Sequence, residues 1–159
     1  MFKVFFLTFL IITNLFSEVK NELFILPNQG KELNERIENL IDLSKNEIII
    51  AMYNFSHKDI LKKLKDSSKK GVKILLILDE EKYEENKKIV KELENENVKI
   101  IIPKDKMHMK IAIFDSKLLL IGSMNWTKES FKENHEVIMI NNDMEIILKL
   151  TNYLKNNKF

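Results

Sequence analysis

Between His108 and Asn125 the chain reads HMKIAIFDSKLLLIGSMN, and the polar residues of this stretch point to one kind of chemistry. In a strand, side chains two apart share a face, so His108 and Lys110 project together while Met109 turns into the core. A hairpin then returns the chain to Gly122-Ser123-Met124-Asn125, which brings Ser123 and Asn125 back beside the imidazole, with Gly122 permitting close backbone approach. A histidine, a lysine, a hydroxyl and an amide then surround a space the size of one phosphate. In such a set the imidazole attacks phosphorus, while Lys110, Asn125 and Ser123 stabilise charge on the non-bridging oxygens. The stretch lacks the clustered Asp and Glu that hold pairs of Mg²⁺, so the expectation is a phosphodiesterase that needs neither metal nor cofactor.

The elements around this stretch alternate between strand and helix. Apolar, β-rich runs at 23–26, 47–53, 72–78, 98–102, 110–114, 118–121 and 136–140 predict seven strands. Helical periodicity marks 31–45, with Leu33, Ile37, Leu40 and Ile41 on one stripe. It also marks 57–70, capped by Ser56 and stopped at Gly71, the highly charged 80–95, and 144–154. Strands 110–114 and 118–121, separated by Asp115-Ser116-Lys117, read as a hairpin. The fold class is α/β: a mixed sheet of about seven strands flanked by helices.

Length and composition bound the rest. The 159 residues, 45% hydrophobic, suit a single domain with one core. With no cysteine, disulfides and thiolate chemistry are excluded. Residues 1–17 begin Met1-Phe2-Lys3 and continue with an apolar run from Val4 to Phe16. They read as an export signal, or alternatively as a retained membrane anchor, leaving 18–159 as the domain. The expected location is therefore periplasmic or secreted, with membrane association through the N-terminal segment as the alternative.

His108, Lys110, Asp115, Gly122, Ser123 and Asn125 fit the pattern H-x-K-x4-D-x6-G-S-x-N at every fixed position, and this resembles the signature of the phospholipase D superfamily. Trp126-Thr127 after the motif, Asn134-His135-Glu136 before a strand, and Tyr53-Asn54-Phe55 resemble in particular the small bacterial nuclease branch with one motif per chain. The resemblance covers the chain from about Leu23 onward. It implies a phospholipase D-like fold, a covalent phosphohistidine on His108, and phosphate binding by Lys110 and Asn125. Two motifs make one site in this superfamily, so one motif implies a homodimer in which the second His108 protonates the leaving oxygen and later activates water. Ser123 would orient opposing groups, Glu136 resembles an acidic residue that hydrogen-bonds a site histidine, and Asp115 is expected to be structural or orienting.

The net charge of +2 does not by itself announce a polyanionic partner. Location does more, because residues 99–132 hold seven lysines against three acids. Lys104, Lys106 and Lys128 are candidates for backbone contacts, and Trp126 for stacking on a base, with core packing as its alternative. The leading expectation is a nonspecific endonuclease acting on single- or double-stranded DNA, and on RNA as a further polymer. The alternatives are a phospholipid phosphodiesterase, such as a cardiolipin hydrolase, and a noncatalytic nucleic-acid-binding module for DNA uptake.

Overall fold

A computed structural model of the protein describes residues 21–157 and residue 159. The leader expected at 1–17 lies outside the described residues, and none of the helices described is long and apolar enough to cross a membrane. In chain order the elements are β1 (Asn21–Ile25), α1 (Gly30–Leu43), β2 (Glu47–Met52), α2 (Lys58–Lys69), β3 (Lys73–Leu78), α3 (Glu80–Lys91), β4 (Val98–Ile101), β5 (Lys110–Phe114), β6 (Leu118–Gly122), α4 (Lys128–Lys132), β7 (Val137–Asn141) and α5 (Met144–Asn156). All seven strands join one sheet in the order β1-β7-β6-β5-β2-β3-β4. β2, β3 and β4 run parallel, as their helical crossovers require, and β5, β6, β7 and β1 pair antiparallel.

Strand alternation divides the sheet between two cores. Ile48, Ile50 and Met52 of β2 pack with Ile74 and Leu76 of β3 against Leu33, Ile37, Leu40 and Ile41 of α1 and Ile60 and Leu64 of α2. The intervening Ile49 and Ala51 face the other way, onto Ile147 and Leu154 of α5. With both faces of its centre covered, the sheet needs the near-continuous apolar runs seen in β2 and β3. Among the described helices only α5 covers the second face, and on the β1–β7 margin Leu23, Ile25 and Val137 remain exposed there.

Several boundaries differ from the sequence expectation for identifiable reasons. Helix α2 starts one residue after His57, which occupies the cap position without a side-chain bond. Ser56 is no cap, because the backbone N–H groups of Ser56 and His57 both donate to the Trp126 carbonyl, at 3.0 and 2.9 Å. Helix α3 ends at Lys91, and Asn95 beyond it donates from Nδ2 to Ser68 Oγ at 2.7 Å. Helix α4 was not expected. Its five residues are too few for a periodic signal, and it is started by Thr127, whose hydroxyl accepts from Ser130 N.

Candidate active site

His108 and Lys110 are held by three separate tethers. Asp79, buried at the end of β3, accepts from Met107 N at 3.1 Å through one carboxylate oxygen and caps α3 at Lys82 N through the other. Met107 is buried, and Tyr53 N donates to Met109 O at 2.9 Å, extending the β2–β5 pairing to the end of the strand. The Tyr53 ring then rests against the His108 imidazole, with centroids 4.4 Å apart and a tilt of 44°. The strand itself begins only at Lys110, so simple alternation does not place His108, which is exposed while Lys110 is buried. The lysine side chain closes the gap: Nζ lies 2.9 Å from His108 Nδ1 and 3.3 Å from Nε2, and donates to the His108 carbonyl at 2.9 Å. Burial pushes the Lys110 ammonium below its ordinary pKa, with Glu136 opposing that shift through its negative charge.

The other half of the site comes from the end of β6. Gly122 is a close-approach glycine: a Cβ there would stand 2.3 Å from Val137 O and 2.9 Å from Ile138 Cα. That contact sets Ser123 against β7, where its hydroxyl donates to Glu136 and accepts from Val137 N at 3.2 Å. The second Glu136 oxygen accepts from Asn134 at 3.4 Å. Within the chain Glu136 is thus bonded to Ser123 and Asn134, and its expected bond to a site histidine is not made to its own His108. Asn125 accepts from Asn54 N at 3.3 Å through its side-chain oxygen, and Asn54 in turn accepts from Asn86 Nδ2 at 3.2 Å. Pinning the oxygen fixes the orientation of the Asn125 carboxamide and leaves its NH₂ group free to serve as an anion donor.

Tyr53 and Asn54 were legible only as part of a segment, and Asp79 and Asn86 were not anticipated at all. Asp79 and Asn54 each follow a strand whose end faces the site, which is a signal in retrospect. Asn86 sits in a charged helix and carries none.

Three residues singled out in the sequence lie away from this site. Asp115 lies at the far end of β5, where both it and Ser116 adopt positive φ (51° and 53°), as a tight hairpin turn demands. Its carboxylate accepts from Lys45 N, Asn46 N and Glu47 N at 2.8, 2.7 and 3.0 Å. Partial burial alone would raise its pKa, but these three bonds hold it below the ordinary carboxylate value. Asp115 therefore ties the turn to the start of β2, about 17 Å of strand from Lys110. Trp126 is 0% exposed and packs edge-on against Phe55 at 5.3 Å, so it cannot stack on a base. Lys128 lines a different cleft, with Gly30, His57 and Phe131. Lys104 and Lys106 line, with His108 and Tyr153, a cleft of about 430 Å³. Lys106 Nζ also stands 5.2 Å from the centre of the Tyr53 ring.

A mixed seven-stranded sheet with helices on both faces, carrying a His–Lys pair opposite a Gly-Ser-x-Asn turn at one sheet end, defines a phospholipase D-like domain. The profile of the family described as "Cardiolipin synthase, PLD-like domain" matches residues 37–158. The solved structure of NucT from Helicobacter pylori is similar at 31% identity and a TM-score of 0.81, covering 87% of this chain and 95% of that one. A phospholipase D of Rickettsia conorii is 32% identical over 124 residues, covering 76% of this chain and 60% of its own length. The mitochondrial cardiolipin hydrolase of Mus musculus is 25% identical over 124 residues, covering 77% and 56%. The chain belongs to the PLD-like domain family, and it spans about 60% of the length of these two curated relatives.

Proposed function

We propose that the protein is a metal-independent phosphodiesterase acting as an endonuclease of low sequence specificity on DNA, with RNA as a second polymer. The observation that carries this reading is the contact of the Lys110 ammonium with the exposed His108 imidazole, at the start of a strand paired with the one that leads into Ser123 and the pinned amide of Asn125. A ring nitrogen of His108 attacks phosphorus, a P–N bond forms, and the P–O bond to the leaving oxygen breaks. Lys110 and Asn125 hold the non-bridging oxygens, whose added negative charge they stabilise in the transition state. The leaving oxygen takes a proton from the His108 of a second copy. That imidazole then removes a proton from water, which attacks phosphorus and breaks the P–N bond.

The homodimer is part of the same reading. One chain supplies one His–Lys pair, and the second sheet face keeps Leu23, Ile25 and Val137 exposed together with Met144, Ile146 and Leu148 of α5. An apolar surface of this kind suits burial against a partner, and the far end of α5 borders the His108 cleft through Tyr153. Export by the N-terminal segment belongs to the proposal as well, since a nonspecific nuclease is tolerated outside the cytoplasm. The polymer is preferred because Lys104 and Lys106 join His108 in one cleft. The lipid reading draws on the names of the similar phospholipase D and cardiolipin hydrolase.

The test is to incubate the protein and its His108→Ala variant with DNA, RNA and phospholipid vesicles in EDTA. Degradation of nucleic acid by the wild type alone is expected. Headgroup release without cleavage of either polymer would reverse the ranking, and DNA binding with no hydrolysis of any substrate would leave the uptake-module reading. Sedimentation at micromolar concentration should show a dimer, and a fully active monomer would overturn the two-histidine scheme.

A further inference from the structure

The removal of Lys128 from the active site leads to a second basic cleft. Gly30, Lys31 and Asn34 of α1, Ser56 to Asp59 at the start of α2, and Lys128, Phe131 and Lys132 of α4 enclose a space of about 590 Å³. Four lysines border it (31, 58, 128 and 132), against Asp59 and Glu129. Lys58, Lys128 and Lys132 are exposed and form none of the salt bridges found among the described residues, and Lys31 meets only the exposed Glu35, at 3.7 Å. The lining also holds two buried side-chain atoms without a hydrogen-bond partner, His57 Nδ1 and Asn34 Oδ1. His57 packs edge-on to Phe131 at 4.9 Å, which holds its ring at the wall of the cleft.

The cleft and the active site are joined by one rigid segment. Tyr53 lies against His108 and Asn54 N binds Asn125. Phe55 bridges to Trp126, and the N–H groups of Ser56 and His57 both donate to the Trp126 carbonyl. Three residues separate Tyr53 from His57, a span of four residue steps and at most about 14 Å. Both sites open at the sheet end where β2 finishes and β6 delivers Ser123 and Asn125, and the cleft lies on the α1–α2 face, away from the apolar surface beside α5.

We propose that this cleft is a second phosphate-binding position, gripping the backbone of a nucleic-acid strand a few nucleotides from the phosphodiester presented to His108. The inference rests on the nucleic-acid reading above and deepens it. A phospholipid headgroup, or the two phosphates that one glycerol joins in cardiolipin, has no backbone that continues from one basic site into a second cleft, whereas a polymer of phosphodiesters does. The cleft would thereby select for polymers above a minimum length, and its lysines would supply part of the salt dependence of binding.

The experiment measures equilibrium binding of fluorescent oligonucleotides to the full chain carrying His108→Ala, so that no cleavage intervenes. The probes are a single-stranded ten-mer and a dinucleotide. One variant carries Lys58→Gln, Lys128→Gln and Lys132→Gln. A control carries Lys62→Gln, Lys69→Gln and Lys88→Gln, which removes equal charge from exposed positions outside the cleft. The cleft variant is expected to bind the ten-mer on the order of tenfold more weakly at moderate salt, with the slope of log affinity against log salt reduced by about 2. Its dinucleotide affinity should match the parent, and the control should lose no more than about threefold on the ten-mer.

Equal losses in both variants would reduce the cleft to bulk charge and overturn the proposal. So would equal losses on ten-mer and dinucleotide, or no loss at all. Loss of binding to phosphatidylglycerol vesicles with unchanged ten-mer affinity would overturn it in favour of a membrane contact. Failure of the two readings can be told apart. A wild type that cleaves no nucleic acid, with the cleft variant still deficient on the ten-mer, sinks the nuclease activity and keeps the cleft. Cleavage with a fully binding cleft variant does the reverse.

Discussion

Replacing Asp115 by alanine separates the signature as a pattern from the signature as a set of reacting groups. The carboxylate accepts three backbone N–H bonds at 2.7–3.0 Å from consecutive residues of the turn before β2. A hydrogen bond to a charged acceptor contributes about 1.5–3 kcal/mol when well buried, and partial exposure here lowers that to about 1 kcal/mol each. Alanine must also hold φ near 51°, a left-handed conformation that adds about 1 kcal/mol. The expected loss is thus about 3–4 kcal/mol, or roughly 10 °C in melting temperature for a domain of this size. Because the folded-state carboxyl is held below its ordinary 3.8, its contribution is fully present above that value and lost as pH falls through the lower folded value. The gap between wild type and variant should therefore shrink on acidification below about pH 4. Asp115→Asn, which keeps one acceptor oxygen and tolerates positive φ, should recover part of the loss. Differential scanning calorimetry between pH 3 and 8 measures this, and kcat/KM on DNA, taken well below the variant's melting temperature, should stay within about twofold of wild type. A hundredfold fall in kcat at unchanged melting temperature would refute the assignment and place Asp115 among the catalytic groups.

Other positions give equally definite outcomes. Gly122→Ala places a Cβ 2.3 Å from Val137 O, so β6 and β7 must separate. A stability loss of about 3 kcal/mol with impaired activity is expected in thermal melts and turnover assays, and a variant of wild-type stability would contradict the close approach. Trp126→Phe should keep stability within about 1.5 kcal/mol and leave KM for DNA unchanged, whereas Trp126→Ala should cost about 3–5 kcal/mol. A raised KM with intact stability in the phenylalanine variant would restore a stacking role. Since burial depresses the Lys110 ammonium, its positive charge disappears below the ordinary lysine value of 10.5, and KM for a phosphodiester should climb on the alkaline side before that pH. A KM flat up to pH 10.5 would contradict this.

The order of the seven strands and of four of the five described helices, the hairpin after Lys110 and the residues of the candidate site were legible in the linear chain. They are local properties: the continuous apolar run in 47–53, the helical stripe from Leu33 to Ile41, and a histidine and lysine two residues apart followed at fixed distance by Gly-Ser-x-Asn. Tertiary structure decided which neighbours in sequence are neighbours in function. Trp126 sits one residue from Asn125 yet is sealed in the core, because its carbonyl and ring are bound into the segment after β2. Lys128 and Lys106 read alike as surface lysines, but α4 carries one into the cleft beside His57 while the loop tethered by Asp79 carries the other to His108. The bonds of Asp79, Asn54 and Asn86 could not be foreseen, because contacts across 28, 71 and 32 residues depend on where the sheet ends come together. Periodicity and spacing report the faces of single elements. Burial, the direction of a carboxamide and the separation of two basic clefts follow only from how those elements are packed.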